Sequence, residues 1–151
     1  MEGRNFHVRW MIRRDLPEVM AVEEDCFEHP WTLEQMQSCL AMRNHTALVV
    51  EHGDRVIGFA IYGRLSTHFE LVSIAVTKAY RRKRVGTLLY RKILHSLCKL
   101  GLDRLVVMVR EGNLPAQLFF KFGQMKAEQV IRNYYADSAE SAYQFALTVG
   151  Q

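Results

Sequence analysis

The chain lacks several features that would place it outside the cytoplasm. No apolar run approaches the roughly 20 residues that cross a bilayer, and the first residues lack the apolar segment of a signal peptide. With three prolines and nine glycines in 151 residues, the composition excludes a collagen-like or low-complexity chain. We therefore expect one cytoplasmic domain over residues 1–151, with no membrane partner.

Cysteine is also scarce. Cys26, Cys39 and Cys98 are odd in number and far apart. Such spacing matches neither a disulfide framework nor a metal site. We interpret them as buried thiols of a reducing compartment and expect no metal.

The positive charge is concentrated in one place. The net charge is +4, and most of the excess sits in the cluster Arg81–Arg84. A cluster this local predicts an anion site rather than a nucleic-acid-binding face. No nucleic-acid partner is expected.

Apolar periodicity and turn signals predict strands alternating with helices. Strands are predicted at 6–12, 46–51, 56–62, 69–76, 104–109, 130–132 and 143–149. Helices are predicted after Asp15 to about Cys26, after Thr32, from 85 to 100, and from 113 to 122. This order predicts an α/β fold, a mixed central sheet with helices on both faces. The unit from 69 to 109 requires a right-handed parallel crossover.

The passage from strand to helix at residues 70–87 is the most informative stretch. An apolar run ends at Val76, the basic cluster follows, and Gly86 begins a helical pattern. Free N–H groups and the helix dipole favour an anion at the start of a helix. The stretch is therefore suited to hold a diphosphate.

Four ordered segments resemble the GNAT superfamily of N-acetyltransferases, most closely the ribosomal-protein-alanine (RimI) type. They are residues 22–27 with 29–32, residues 73–76, residues 109–113 and residues 132–135. The resemblance covers about residues 8–149. It implies the GNAT fold, with a splayed strand pair that binds acyl-CoA. It also implies acetyl-CoA-dependent acetylation of the N-terminal alanine of a small-subunit ribosomal protein.

The resemblance also implies which residues bind acetyl-CoA. The pantetheine arm would lie along the backbone of Ile74, Ala75 and Val76, as a ligand strand joins a sheet edge. The side chain of Asn113 would contact the cofactor beyond the splay. The diphosphate would lie on the following loop and helix start, formed by Arg81, Arg82, Lys83, Arg84, Val85, Gly86 and Thr87.

The chain departs from the family pattern at catalytic and loop positions. Arg84 stands where the family has a glycine. A glycine there would allow positive φ and would let the backbone approach the phosphate closely. Met108 replaces a glutamate and Phe120 replaces a tyrosine, and neither replacement can transfer a proton. The Gly-Phe pair that usually ends the short helix reads Gly123-Gln124, interpreted as a one-residue deletion. These changes predict an impaired enzyme.

Few proton-transfer groups remain. Glu70, at the start of the fourth strand, is the best candidate base, directly or through water. Tyr134 or Tyr135 could donate to the leaving thiolate or line the acceptor site, and Tyr134 is taken as the catalytic candidate. Adjacent side chains on an extended segment point opposite ways, so at most one of the two is expected to reach the site. His68 and Glu111 are weaker candidates.

Trp31, Phe27 and the acidic run 23–25 are interpreted as one wall of the acceptor cleft. The acidic residues would attract a basic second residue of a peptide. Two alternatives stay open. One is acetylation of another amine, such as a different protein N-terminus, a lysine or a small metabolite. The other is a catalytically weak acyl-CoA-binding module.

Overall fold

The computed structural model describes residues 5–150, which form an α/β fold of seven strands and four helices. The strands are β1 (Phe6–Trp10), β2 (His45–His52), β3 (Arg55–Arg64), β4 (Phe69–Val76), β5 (Arg104–Arg110), β6 (Lys126–Ile131) and β7 (Ala142–Thr148). The helices are α1 (Leu16–Cys26), α2 (Leu33–Leu40), α3 (Val85–Lys99) and α4 (Leu114–Phe122). Over this range, no helix is both long enough and apolar enough to cross a bilayer.

The strands form one mixed sheet in the order β1-β2-β3-β4-β5-β7-β6. Within residues 5–150, β4 and β5 are the one parallel pair, and every other neighbouring pair is antiparallel. The helix α3 makes the crossover between β4 and β5. The predicted mixed sheet is confirmed.

Each face of the sheet has its own core. Helices α1 and α2 cover one face, where Val19 and Met36 pack on Phe59. Helices α3 and α4 cover the other, where Ile93 and Phe120 join the larger cluster. We call these the α1/α2 face and the α3/α4 face. The predicted helices on both faces are therefore present.

Capping and turn residues close to each end determine where several helices and strands begin or stop. The Thr32 hydroxyl accepts a hydrogen bond from the Gln35 amide at 3.1 Å, and the Gln35 side chain accepts one from the Thr32 amide at 2.8 Å. This is the predicted capping box. The hairpin between β2 and β3 turns on Gly53, which adopts its φ of 63° without the steric cost that a side chain would bring.

Asp15 precedes α1 as predicted, but its side chain does not cap the helix. Its carboxylate accepts two hydrogen bonds from the Arg9 guanidinium, at 2.8 and 2.9 Å, and one from the Ile12 amide at 2.8 Å. The bond from Arg9 lowers the pKa of Asp15. The start of α1 is thus tied to β1 by a charge pair.

The structure corrects two sequence predictions, the bounds of the sixth strand and the burial of the three cysteines. The strand β6 runs over Lys126–Ile131 rather than 130–132. It is an edge strand with mostly exposed side chains, so the alternation that signals a half-buried strand is absent. Cys98 is exposed, whereas Cys26 and Cys39 are half-buried, and all three are unpaired.

The interpreted deletion after α4 is also wrong. The Gln124 amide donates to the Lys121 carbonyl and the Met125 amide donates to the Phe120 carbonyl, both at 3.0 Å. These two bonds form a Schellman motif, which normally places glycine where Gln124 stands. Gln124 takes the required φ of 75°, and Met125 is buried. Gln124 and Met125 therefore occupy the places of the usual Gly-Phe pair, with no residue missing.

Replacing Gln124 by glycine should stabilise the fold. A non-glycine residue at positive φ costs ~1 kcal/mol, part of which is offset by the greater freedom of glycine in the unfolded chain. We expect Gln124→Gly to raise the urea midpoint by an amount equivalent to about 0.5 kcal/mol.

Lys121→Gly serves as the control, because it places glycine inside α4 and should lower the midpoint. If both variants lower it equally, Gln124 is not strained.

Candidate functional site

β4 and β5 diverge partway along their length. Their parallel pairing covers only Phe69–Leu105, Glu70–Val106 and Leu71–Val107. Both strands continue for several residues, β4 to Val76 and β5 to Arg110. The splayed strand pair expected from the sequence is therefore present.

The divergence leaves an edge of β4 without a strand partner. The Thr77 amide donates to the Ile57 carbonyl at 2.9 Å, so Thr77 faces β3. Antiparallel hydrogen-bonding alternates, and the backbone groups of Ile74 and Val76 consequently face the cleft. The register with β3 also shifts between Leu71 and Ser73, which makes Val72 a bulge residue where the pairing with β5 ends.

Part of this edge is bonded to side chains. The Val76 carbonyl accepts hydrogen bonds from the Cys26 thiol and the Arg81 side-chain Nε, each at 3.1 Å. Burial raises the pKa of Cys26. The thiol therefore stays protonated and acts as a donor rather than a nucleophile. A ligand that pairs with this carbonyl would take the place of the Arg81 contact.

The loop between β4 and α3 has an anion-binding shape. Arg82 and Arg84 both adopt positive φ, at 65° and 64°, and Arg84 is the N-cap of α3. Backbone that turns through the left-handed region at a helix start gathers N–H groups into a concavity for anions. All four side chains of Arg81–Arg84 are exposed. Arg84 thus keeps the glycine-like backbone that its side chain was expected to disfavour.

The first three residues of α3, which follow this loop, have distinct environments. Val85 is buried in the core and can offer a ligand only its backbone. A Cβ on Gly86 would lie 3.1 Å from the Phe119 ring, so glycine lets α4 approach the start of α3. Thr87 is half-buried on the first turn.

The predicted catalytic positions are divided between the two sheet faces. Glu70 pairs with Gly63 and Val106, and alternation puts Glu70 and Met108 together on the α1/α2 face. Phe120 is buried on the other face, where its ring packs near those of Tyr90, Phe119 and Phe145. Phe120 is therefore a core residue with no polar group for the site.

The two adjacent tyrosines have different environments. The Arg110 guanidinium lies 3.9 Å from the centre of the Tyr135 ring. Burial raises the pKa of Tyr135 to about 12. The Tyr134 side chain, by contrast, is 45% exposed. Of the two phenols, Tyr134 is the one free to meet a ligand.

Arg110 anchors the loop of residues 132–141, which we call the β6–β7 loop. Its guanidinium donates to both Asp137 carboxylate oxygens, at 3.0 and 2.6 Å, and to the Glu140 carboxylate at 3.3 Å. It also donates to the Ser138 hydroxyl at 3.2 Å. The bonds from Arg110 lower the pKa of Asp137. One side chain at the end of β5 thus holds the loop that presents Tyr134.

The turn after β5 contributes to the same anchorage. The second Glu140 oxygen accepts a bond from the Gly112 amide, and Glu111 accepts one from the Ser141 amide, both at 2.8 Å. Glu111 is therefore a structural acceptor rather than a spare base. The Asn113 side-chain oxygen caps α4 by accepting from the Ala116 amide at 3.1 Å. This leaves the NH₂ group of Asn113 for a ligand.

The acidic wall inferred from residues 23–25 is wrong for two of its three members. Glu23 is 3% exposed, and one of its oxygens accepts a hydrogen bond from the Trp31 amide at 2.9 Å. Asp25 accepts hydrogen bonds from the Thr77 hydroxyl at 2.7 Å and from the Lys78 amide at 2.8 Å. Glu24 alone is exposed. These carboxylates hold the segments around the cleft in place, a role that helical periodicity does not reveal.

Glu23 carries an unusual electrostatic cost. Its second carboxylate oxygen is buried and has no hydrogen-bond partner among residues 5–150. Burial raises the pKa of Glu23 above its ordinary value of 4.5. The ionised form is thus disfavoured in the folded state.

Comparisons with known proteins agree with this geometry. The family model described as the acetyltransferase (GNAT) family matches residues 16–124. The chain is 29% identical over 146 residues to a Bacillus subtilis protein named "Putative ribosomal protein bS18-alanine N-acetyltransferase", covering 95% of this chain and 96% of the relative. It is 26% identical over 121 residues to the Haemophilus influenzae ribosomal protein bS18-alanine N-acetyltransferase, with coverage of 80% and 82%.

A solved structure shares the fold. The ribosomal-protein-S18-alanine N-acetyltransferase from Escherichia coli superposes with a TM-score of 0.86 at 24% identity, covering 97% of this chain and 95% of that one. At 24% identity, this comparison shows that the two proteins share a fold.

Removing the charge of Glu23 should stabilise the fold at neutral pH. A carboxyl whose folded-state pKa is raised destabilises the protein above its unfolded pKa, and the penalty vanishes when both states are protonated. We expect Glu23→Gln to raise the melting temperature at pH 7 by a few degrees and to have little effect near pH 4.

The control Glu24→Gln removes the exposed neighbouring charge and should leave the melting temperature unchanged both at pH 7 and near pH 4. A lower melting temperature for Glu23→Gln at pH 7 would mean that the ionised carboxylate is favourable in the fold.

Proposed function

Because the chain belongs to the acetyltransferase (GNAT) family, we propose that it acetylates the N-terminal alanine of a small-subunit ribosomal protein. It is an N-acetyltransferase, and its acyl donor is acetyl-CoA. The observation that carries the proposal is the open edge of β4, which leads directly into the positive-φ basic loop. The names of the Bacillus and Haemophilus relatives support the acceptor.

The residues of the edge and loop fit acetyl-CoA. The Ile74 and Val76 backbone groups can pair with the amides of an extended pantetheine arm. The loop after β4 offers N–H groups and exposed arginines to the diphosphate. The NH₂ group of Asn113 is available on the far side of the splay. The pantetheine arm and the diphosphate thus each have a counterpart of suitable chemistry.

Proton transfer is assigned to the α1/α2 face. Deprotonating the incoming amine needs a carboxylate or a water held by one. Glu70 supplies a carboxylate beside the splay, whereas Met108, on the neighbouring strand, can accept no proton. Tyr134 supplies an exposed phenol to protonate the leaving thiolate, because Phe120 is buried and apolar. Turnover should therefore be slow relative to a site with both usual groups.

The acceptor would lie between the α1–α2 connection and the β6–β7 loop. Trp31 is held there by Glu23, and Tyr134 by its backbone bond to Glu140, whose side chain accepts from Arg110. A preference for a basic second residue would rest on the exposed carboxylates Glu24 and Glu28, since Glu23 and Asp25 are bonded within the fold.

The acceptor is tested with peptides. A peptide that begins with alanine, continues with a basic residue and contains an internal lysine should gain one acetyl group on its α-amine, located by fragment mass spectrometry. The same peptide with a formylated N-terminus is the control and should stay unmodified. Acetylation of the internal lysine, or of a polyamine in preference to the peptide, would assign the enzyme to another amine.

The base is tested by two substitutions. General-base assistance contributes ~10²–10⁴-fold in rate. Glu70→Gln keeps the shape but cannot accept the proton, so we expect kcat to fall at least ~10-fold with unchanged acetyl-CoA affinity. Met108→Glu should raise kcat, because it adds a carboxylate on the same face, although desolvation opposes its charge.

Glu34→Gln, an exposed change on α2, controls for general charge effects. If Glu70→Gln and Met108→Glu both leave kcat unchanged, neither position transfers the proton. The catalytically weak acyl-CoA-binding module then becomes the better description.

A further inference from the structure

Positive and negative charge are segregated along this chain. Residues 71–102 contain eight lysines and arginines and no aspartate or glutamate. The chain has 20 basic and 16 acidic residues in total. The residues outside this segment therefore hold twelve basic and sixteen acidic side chains. An overall charge of +4 thus divides into +8 in one segment and −4 in the rest.

The structure places part of this excess on one surface of α3. The buried residues of α3, such as Leu89, Ile93 and Leu97, point to the sheet. At 3.6 residues per turn, the exposed residues fall within a sector of about 120° on the opposite side. Its basic members, which we call the α3 basic face, are Arg84, Arg91, Lys92, His95 and Lys99. The face extends ~22 Å along the helix.

These charges are not neutralised within the fold. Among residues 5–150, the ion pairs of Arg9, Arg104 and Arg110 bind those arginines to carboxylates. No residue of the α3 basic face forms such a pair within that range. Mutual repulsion on one helix face is unfavourable for folding, so the fold itself does not account for the pattern.

Binding of the acetyl-CoA diphosphate does not account for all of the positive charge on the α3 basic face either. A diphosphate on the loop is served by Arg81–Arg84 at the start of α3. Arg91, Lys92 and Lys99 lie ~10–22 Å farther along the helix. The sequence alone assigns the excess charge to the loop, because sequence position does not show that the helix continues the same surface.

We propose that the α3 basic face binds the phosphate backbone of double-helical RNA. A linear row of cations without carboxylates suits the dense phosphate charge of a nucleic-acid duplex. A membrane-surface helix would need an apolar face to insert, and the apolar face of α3 is buried against the sheet. The choice of RNA over DNA rests on the proposed function. The proposed acceptor is a ribosomal protein, and ribosomal proteins are bound to RNA in the ribosome.

Binding is measured by fluorescence anisotropy with a labelled RNA duplex of about 20 base pairs, from about 50 to 200 mM salt. Saturating acetyl-CoA occupies the phosphate loop throughout. The triple variant Arg91→Gln, Lys92→Gln, Lys99→Gln should weaken binding. It should also reduce the slope of log K against log salt by ~0.9 for each phosphate that the variant no longer neutralises.

The matched control is Arg14→Gln, Arg43→Gln, Arg55→Gln, which removes the same charge from exposed positions elsewhere. It should bind RNA nearly as the natural chain does. Acetylation of a short peptide should be equal in both triple variants, because none of these residues belongs to the site. RNA binding with no peptide acetylation would refute the proposed acceptor but leave this inference standing.

Four results would overturn the inference. They are no RNA binding at the lowest salt, equal weakening in the two triple variants, RNA binding that occurs only in a parallel titration without acetyl-CoA, and equal binding of a DNA duplex of the same sequence. Binding to vesicles containing anionic lipid but not to the RNA duplex would likewise assign the face to a membrane surface.

Discussion

The parting of β4 from β5 is the constraint on which the rest of this structure depends. A parallel pair that ends after three residue pairs leaves backbone groups of β4 exposed to a cleft. Backbone N–H and C=O groups need hydrogen-bond partners. The Val76 carbonyl has two side-chain donors, whereas the backbone groups of Ile74 are open to the cleft. A ligand that completes the sheet therefore supplies bonds that the protein cannot supply itself.

The segments around this cleft are held by carboxylates placed outside the chemistry. Asp25 bonds the end of α1 to the start of the basic loop. Glu23 holds Trp31, and Arg110 gathers Asp137 and Glu140 to fix the β6–β7 loop. A site whose walls are fixed in this way contributes to rate by positioning its substrates. Under the proposed function, such positioning would supply part of the rate although Met108 and Phe120 cannot transfer a proton.

Sequence reasoning succeeded where the signal is local. The bounds of β4 and the capping box at Thr32 follow from periodicity and neighbouring residues, and both agree with the structure. It failed where the partner is distant in sequence, as for Asp25 with Thr77 and Glu111 with Ser141. The parting of β4 and β5 came from family resemblance, since no pattern within either strand indicates where pairing stops.

The open edge of β4 is tested most directly by amide hydrogen exchange, followed by NMR without and with acetyl-CoA. Ser73 and Ala75 face β3, so their amides should exchange slowly in both states. The Ile74 and Val76 amides face the cleft and should exchange rapidly in the free protein, then become protected when acetyl-CoA binds. Slow exchange of Ile74 and Val76 in the free protein, or no change on binding, would contradict the account.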